Sequence, residues 1–294
     1  MTSDIYRDLP FGDYRALAGV NWSHLKLLDR SPLHYHSPSP DKDTPARGLF
    51  RAVHAAVLEP HVYDRDFVVY EGRRDKRSKA YQAVLTDHPC ATILKPSEDE
   101  EARGIAAAVR AYPAATALLD HADAMTEASF TWSCSVTGIE CKGRADYLLP
   151  GHRIELGPFR IVPDPDCAVL IDLKNMRSVS PREMSRDIAK MGYHGQGAHY
   201  CDGVAAVLGV ERVMFGILGV ESNAPHAVGL EMLSDEDLAA GAAWRDGLMR
   251  TLAECSASGV WPGPCPEPRM SDLPTWAPGM PHDDDFTFTS TTED

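Results

Sequence analysis

Residues 168–174, AVLIDLK, form an almost unbroken apolar run, which is the pattern of a β-strand covered on both faces. Such a strand needs a layer above it and a layer below. The run also contains Asp172 and Lys174, two residues apart, so on a strand their side chains share one side. Burying a carboxylate and an ammonium there costs several kcal/mol unless something compensates both charges. A bound cation and a phosphate would do so. On these two residues alone, a strand ending at Asp172 with a salt bridge at its rim is the simpler alternative.

Asp146 shifts that balance. Residues 127–136 and 139–149 read as two strands joined at Thr137-Gly138 in a hairpin. Period-2 alternation places Glu140, Lys142, Arg144 and Asp146 on one face of the second strand. Two carboxylates on adjacent strands can share a divalent cation, which takes oxygen ligands and needs no cysteine. A lysine beside them can position or deprotonate a water. The seven cysteines are scattered and never form C-x-x-C, which excludes a zinc ribbon and a disulfide framework.

The remaining segments surround this centre. Residues 21–30 predict a short helix capped by Asn21. Thr44-Pro45 opens a helix running to about Glu59, with Phe50, Val53, His54, Val57 and Leu58 on its apolar stripe. Residues 71–82 are a basic loop, and Ser97 with Glu100 predicts a capping box for a helix ending before Pro113. Ser180-Pro181-x-Glu183 opens one long helix to about Leu208. Strands over 211–220 and 226–232 follow, then a helix capped near Ser234. The reading is one α/β domain over 1–260 with a helical N-terminal portion. Residues 261–294 hold seven prolines and a net charge of −6, a disordered tail by composition. There is no phosphate-binding G-x-x-x-x-G-K-[ST] and no nucleophile elbow.

The order Asp146, then Asp172-x-Lys174 on the next strand, then a helix, resembles the PD-(D/E)XK nuclease superfamily. The stretch GRADYL…VLIDLKNMRSVSPREMSRDIAKMGYHGQGAHYCDGV is similar to the exodeoxyribonuclease VIII (RecE-type) branch, phage-associated and related to RecB-like nuclease domains. GLFRAVHAAVLEP resembles the upstream helix of that branch, and Gln196-x-x-x-Tyr200 its Q-x-x-x-Y element. Two features depart from it. Asn175-Met176 follow the lysine where small hydroxyl residues are usual, and HRIELGPFRIVPDPD separates the carboxylate strands like an insertion.

The resemblance implies a restriction-endonuclease-like core, a mixed sheet flanked by helices. It implies Mg²⁺ or Mn²⁺ held by Asp146, Asp172 and the Leu173 carbonyl, with His54 serving a second ion. Lys174 would act on the attacking water, and Gln196 and Tyr200 would align the scissile strand. Without the resemblance, His54 is a core histidine and the Gln196/Tyr200 pair is helix packing. The implied reaction is 5′-to-3′ degradation of double-stranded DNA ends in recombination. A single-strand annealing recombinase is the implied partner, and a homo-oligomer the implied assembly. A structure-selective or single-strand endonuclease of the same superfamily, and a non-catalytic DNA-binding protein on a nuclease fold, remain open.

Charge opposes a nucleic-acid partner at first sight. The net charge is −14, and outside the tail it is still −8, whereas duplex binders usually carry a basic footprint. Contact with phosphates must therefore come from local patches. Arg73, Arg74 and Arg77 in the basic loop, and Arg177 and Arg182 just after the catalytic strand, are the candidates. No apolar run is long enough to span a bilayer and no signal peptide is recognisable, so the expected compartment is the cytoplasm.

Overall fold

The computed structural model describes residues 3–39, 44–274 and 277–279. Its centre is a six-stranded sheet in the order β1-β4-β5-β6-β7-β8. The strands are β1 (Asp4–Tyr6), β4 (Met125–Ser133), β5 (Glu140–Glu155), β6 (Arg160–Met176), β7 (Arg212–Glu221) and β8 (Val228–Met232). A second, two-stranded sheet pairs β2 (Phe67–Val69) with β3 (Thr92–Leu94). Only β6 and β7 of the large sheet run parallel, so the sheet is mixed. A parallel pair needs a long crossover. Here it is α10 (Pro181–Met191) followed by α11 (Tyr193–Leu208).

The AVLIDLK run lies within β6 and is covered on both faces. Leu170 packs with Leu148, Phe215 and Ile217 into one apolar cluster, beneath Trp22 and Leu25 of α2 (Trp22–Leu25) and Leu248 and Met249 of α12 (Asp235–Ser258). Val169, Ile171 and Leu173 pack into the other cluster. That cluster includes Val53 and Val57 of α5 (Pro45–Leu58), Ile105 of α8 (Pro96–Ala111) and Leu118 of α9 (Pro113–Leu119). The alternation along one strand thus builds three layers, helices on either side of a sheet. The short helices α1 (Phe11–Ala16), α3 (Leu27–Arg30) and α4 (Pro32–His36) complete the N-terminal portion; α6 (Pro60–Asp66) and α7 (Lys79–Asp87) flank the small sheet.

Several local expectations are met and several are corrected. Asn21 accepts the His24 N–H, Thr44 the Arg47 N–H and Ser234 the Asp237 N–H, each as a helix N-cap. The helix expected from Ser97 begins earlier, with Pro96 at its first position, and Glu98 rather than Glu100 accepts the Lys95 N–H at 2.9 Å. The last residues of the basic loop belong to α7. The apparent insertion over 152–166 is the far end of the β5–β6 hairpin, paired from His152↔Pro163 to Glu155↔Arg160. The single long helix after Pro181 is two helices. Gly192, with φ 69°, takes the left-handed conformation between them, where a side chain would be strained.

Beyond that break α11 packs over β4, β5, β6 and β7. A Cβ built at Gly197 would lie 2.6 Å from the Phe215 ring, and one at Gly203 2.7 Å from Phe130 and Trp132. The bare backbone of α11 therefore seats directly on the sheet, which sets the height of Gln196 and Tyr200 above β6. At the end of the domain, Trp261 stacks on Tyr35 and His36 at 5.7 and 4.7 Å, and Leu33 N–H donates to the Pro262 carbonyl. The start of the Pro-rich segment is thus docked on α4. Residues 275–276 and 280–294 of the expected tail lie outside the described residues.

Candidate active site

The β5–β6 ladder stops at Tyr147↔Ile171, and the site begins where it stops. Beyond that pair the Leu173 N–H donates to Asp146 Oδ2 at 2.7 Å, so a side chain replaces the next backbone rung. A strand residue's N–H and C=O leave on the same side, so the Leu173 carbonyl also faces the Asp146 edge of β6. Asp172 and Lys174 share the opposite register, towards α11. Asp172 is 3% exposed, and the Lys174 ammonium forms an ion pair with its Oδ2. Gln196 donates from Nε2 to Asp172 Oδ1 at 2.8 Å, so each Asp172 oxygen has a partner. The Lys174 ammonium also lies 5.0 Å from the centre of the Tyr193 ring.

On the other side of Asp146 stand His54 from α5 and Glu127 from β4. His54 Nδ1 is 3.7 Å from Asp146 Oδ1 and 3.8 Å from Glu127 Oε1. Arg144 donates to Glu127 Oε2 at 2.6 Å and to the Leu9 carbonyl at 2.7 Å. His54, Glu127 and Asp146 each offer a donor atom within 4.8 Å of the other two, an arrangement able to hold a metal ion. His54 Nε2 is buried and has no hydrogen-bond partner.

The electrostatics follow from burying so many charges together. Burial, with Asp172 and Glu127 as like-charged neighbours, pushes the Asp146 carboxyl up to about 7 despite His54. Burial opposes charging His54, yet Asp146 and Glu127 outweigh it and raise its pKa. Burial also disfavours the Lys174 ammonium, but Asp172 and Asp146 reverse the sign and hold it charged. The Tyr200 hydroxyl is raised well above its ordinary range by burial, near Asp172 and Asp146 and bonded to Gln196, so it is a neutral donor.

The structure brings together His54, Asp146, Asp172, Leu173, Lys174, Gln196 and Tyr200. Glu127 is the member that sequence reasoning missed. A two-residue turn at Thr137-Gly138 would set Ser129 opposite Asp146. Cys134 N–H instead bonds the Ile139 carbonyl, leaving a four-residue loop, and the pairs Thr126↔Tyr147 and Ala128↔Ala145 put Glu127 there. A shift of two residues keeps every side chain on its face and changes only its neighbour. Glu127 also has φ 52°, an irregularity no sequence signal marks.

The arginines divide differently. Arg73, Arg177 and Arg182 are exposed. Arg77 is exposed and pairs with Asp75. Arg74 is engaged in the fold, donating to the Ile93 carbonyl at 2.7 Å and to Glu98 at 2.6 Å.

A family described as a PDDEXK-like domain of unknown function (DUF3799) matches residues 22–272. The crystal structure of a candidate exonuclease from Eubacterium rectale superposes with a TM-score of 0.59 at 14% identity, covering 91% of this chain and 96% of that one, a likeness of fold. A search of curated proteins finds no significant match. Among the described residues, no helix is long and apolar enough to cross a membrane.

Proposed function

The chain belongs to the PDDEXK-like family matched over residues 22–272, and on that premise we propose that it hydrolyses DNA phosphodiester bonds with Mg²⁺ or Mn²⁺. The observation that carries the reading is the buried Asp172–Lys174 pair, completed by Gln196 and set beside Asp146. A salt bridge needed only for stability would sit at a rim, because burying one rarely repays desolvation.

The donor set fits a hard divalent cation. Glu127, Asp146 and Asp172 supply carboxylate oxygens and Leu173 a carbonyl, with no thiolate among them. Burial first, then the neighbouring Asp172 and Glu127, raises the Asp146 carboxyl despite His54 and Lys174, and a bound cation would favour its charged form. Asp146, Asp172 and the Leu173 carbonyl would hold one ion, and His54 with Glu127 a second. Such an ion supplies charge stabilisation at the phosphate oxygens and a more acidic bound water. The chain's own groups do the positioning. Lys174 offers N–H donors at Nζ to the attacking water or the phosphate. Gln196 fixes Asp172 by its Oδ1, and Tyr200 presents a neutral hydroxyl beside them.

Double-stranded ends degraded 5′ to 3′ are the substrate favoured by the resemblance, together with the candidate exonuclease of like fold. A recombination annealing protein as partner and a ring-like homo-oligomer rest on the same resemblance. Arg73, Arg77, Arg177 and Arg182 are the exposed cations offered to phosphates.

Incubation with linear and covalently closed circular duplex in Mg²⁺ tests the proposal. Loss of the linear form alone is the expected result. Cutting of closed circles or of single strands would replace the end-directed reading by an endonuclease. No cleavage of any DNA would leave a binding protein on a nuclease fold.

A further inference from the structure

A second constellation of metal-ligating side chains lies away from the acidic centre. His121 and Asp123 occupy the turn between α9 and β4, and His152 stands on β5. Six residues along a strand, about 20 Å, separate His152 from Asp146. One donor atom each from His121, Asp123 and His152 lies within 4.8 Å of the other two. The two imidazoles meet edge to face with centroids 4.5 Å apart, and His121 Nδ1 is 3.9 Å from Asp123 Oδ2.

Two further observations point the same way. The register of the β5–β6 ladder shifts between Pro150 and His152, and Gly151 takes φ 70° there. A bulge of this kind re-aims a side chain, and here it turns His152 towards His121. The His152 Nδ1 lies 2.8 Å from the Pro150 carbonyl, which can only accept. Its Nδ1 therefore carries the proton, and Nε2 keeps a free lone pair. A backbone carbonyl fixing the tautomer is the usual support of a metal-bound histidine. His121 Nδ1 accepts the Asp123 N–H at 3.3 Å, a long bond that a metal ion at that nitrogen would displace.

We propose that His121, Asp123 and His152 form a site for a borderline transition-metal ion of the Zn²⁺ class, one that fastens the far end of the β5–β6 hairpin to the α9–β4 turn. Two imidazoles and one carboxylate select such an ion over Mg²⁺. Tetrahedral donors around zinc stand about 3.3 Å apart, and rotation of the exposed Asp123 and the half-buried His121 would close the spacing to that. Solvent supplies the fourth ligand. The site is separate from the acidic centre and does not depend on the nuclease reading.

Co²⁺ is the probe, since its visible absorption reports tetrahedral coordination. The full chain is titrated with Co²⁺ in the presence of excess Mg²⁺, and the thermal midpoint is read with Zn²⁺. The expected result is one tetrahedral Co²⁺ spectrum and a rise in Tm on the order of 5 °C at Zn²⁺ a hundredfold above its Kd. His121→Ala/His152→Ala should abolish both while Mg²⁺-dependent DNA cleavage stays within twofold. Asp123→Asn, on an exposed side chain that cannot endanger folding, should weaken Co²⁺ at least tenfold. Asp146→Asn should leave the Co²⁺ spectrum unchanged. No tetrahedral spectrum in the wild-type chain, or one that survives Asp123→Asn undiminished and is lost in Asp146→Asn, would overturn the site. Absence of cleavage by the wild-type chain, with the Co²⁺ pattern as expected, would overturn the nuclease reading alone.

Discussion

Asp146 accepts the backbone N–H of Leu173 at 2.7 Å, one step beyond the last backbone pair between β5 and β6. One carboxylate thereby continues the ladder with one oxygen and leaves the other beside His54. Its structural and chemical roles can be separated by substitution. Asp146→Asn keeps an acceptor for Leu173 and loses the charge; Asp146→Ala loses both. Both are expected to lower Mg²⁺-dependent cleavage at least a hundredfold. Only the alanine variant should also lose stability, by about 1–2 kcal/mol, because the Leu173 N–H is left unpaired. Paired cleavage assays and urea titrations in EDTA read the two effects, and an active asparagine variant would remove Asp146 from the chemistry.

Glu127 bridges Arg144 and His54 from the strand opposite Asp146. Glu127→Gln keeps its shape and removes its charge. Cleavage at saturating Mg²⁺ should fall at least tenfold, and the Mg²⁺ concentration for half-maximal rate should rise. An unchanged Mg²⁺ profile would confine Glu127 to holding Arg144.

Arg74 and its loop neighbours should behave oppositely. Arg74→Ala removes hydrogen bonds to the Ile93 carbonyl and to Glu98, and should cost about 1–3 kcal/mol of stability with the salt dependence of DNA binding unchanged. Arg73→Ala/Arg77→Ala should leave stability alone and reduce the salt slope of duplex binding by roughly one unit for each lost phosphate contact. Binding measured in Ca²⁺ at several salt concentrations checks both. An unchanged slope in the double variant would move the DNA path towards Arg177 and Arg182.

His199 supplies a pH prediction. It is fully buried between Trp22 and Trp132, and burial with Arg245 nearby pushes its pKa down to about 3. The unfolded chain binds a proton at this residue below about 6.5, and the folded chain does not. Stability from this group is therefore complete above pH 7 and falls as the solution is acidified, by about 2 kcal/mol at pH 5. Urea midpoints at pH 7 and pH 5 for wild type and His199→Leu should show a smaller pH dependence in the variant. An equal dependence in both would mean that His199 takes up a proton in the folded state.

These residues also show what a sequence can disclose about the site. The apolar run around Asp172 announced its own burial, because alternation cannot hide seven positions at once, and with it the three-layer architecture. Asn21, Thr44 and Ser234 were readable because capping is local chemistry. Glu127 was not, since its place opposite Asp146 depends on whether the hairpin loop holds two residues or four. The break at Gly192 was equally hidden, because each half of the 181–208 segment carries a good helical pattern and only the left-handed glycine separates them. Arg74 was indistinguishable from its neighbours in a basic loop. Its partners, Ile93 and Glu98, are 19 and 24 residues away.

The central claim is that Asp172, locked between Lys174 and Gln196, makes this centre cut DNA with a divalent ion. The most direct measurement is nucleotide release from end-labelled linear duplex, with and without Mg²⁺, by wild type and by Asp172→Asn. The account predicts release by wild type that stops in EDTA and returns with Mg²⁺, and at least a hundredfold less by a folded Asp172→Asn at any Mg²⁺ concentration. Release by Asp172→Asn at the wild-type rate, or release by wild type that is indifferent to EDTA, would contradict it.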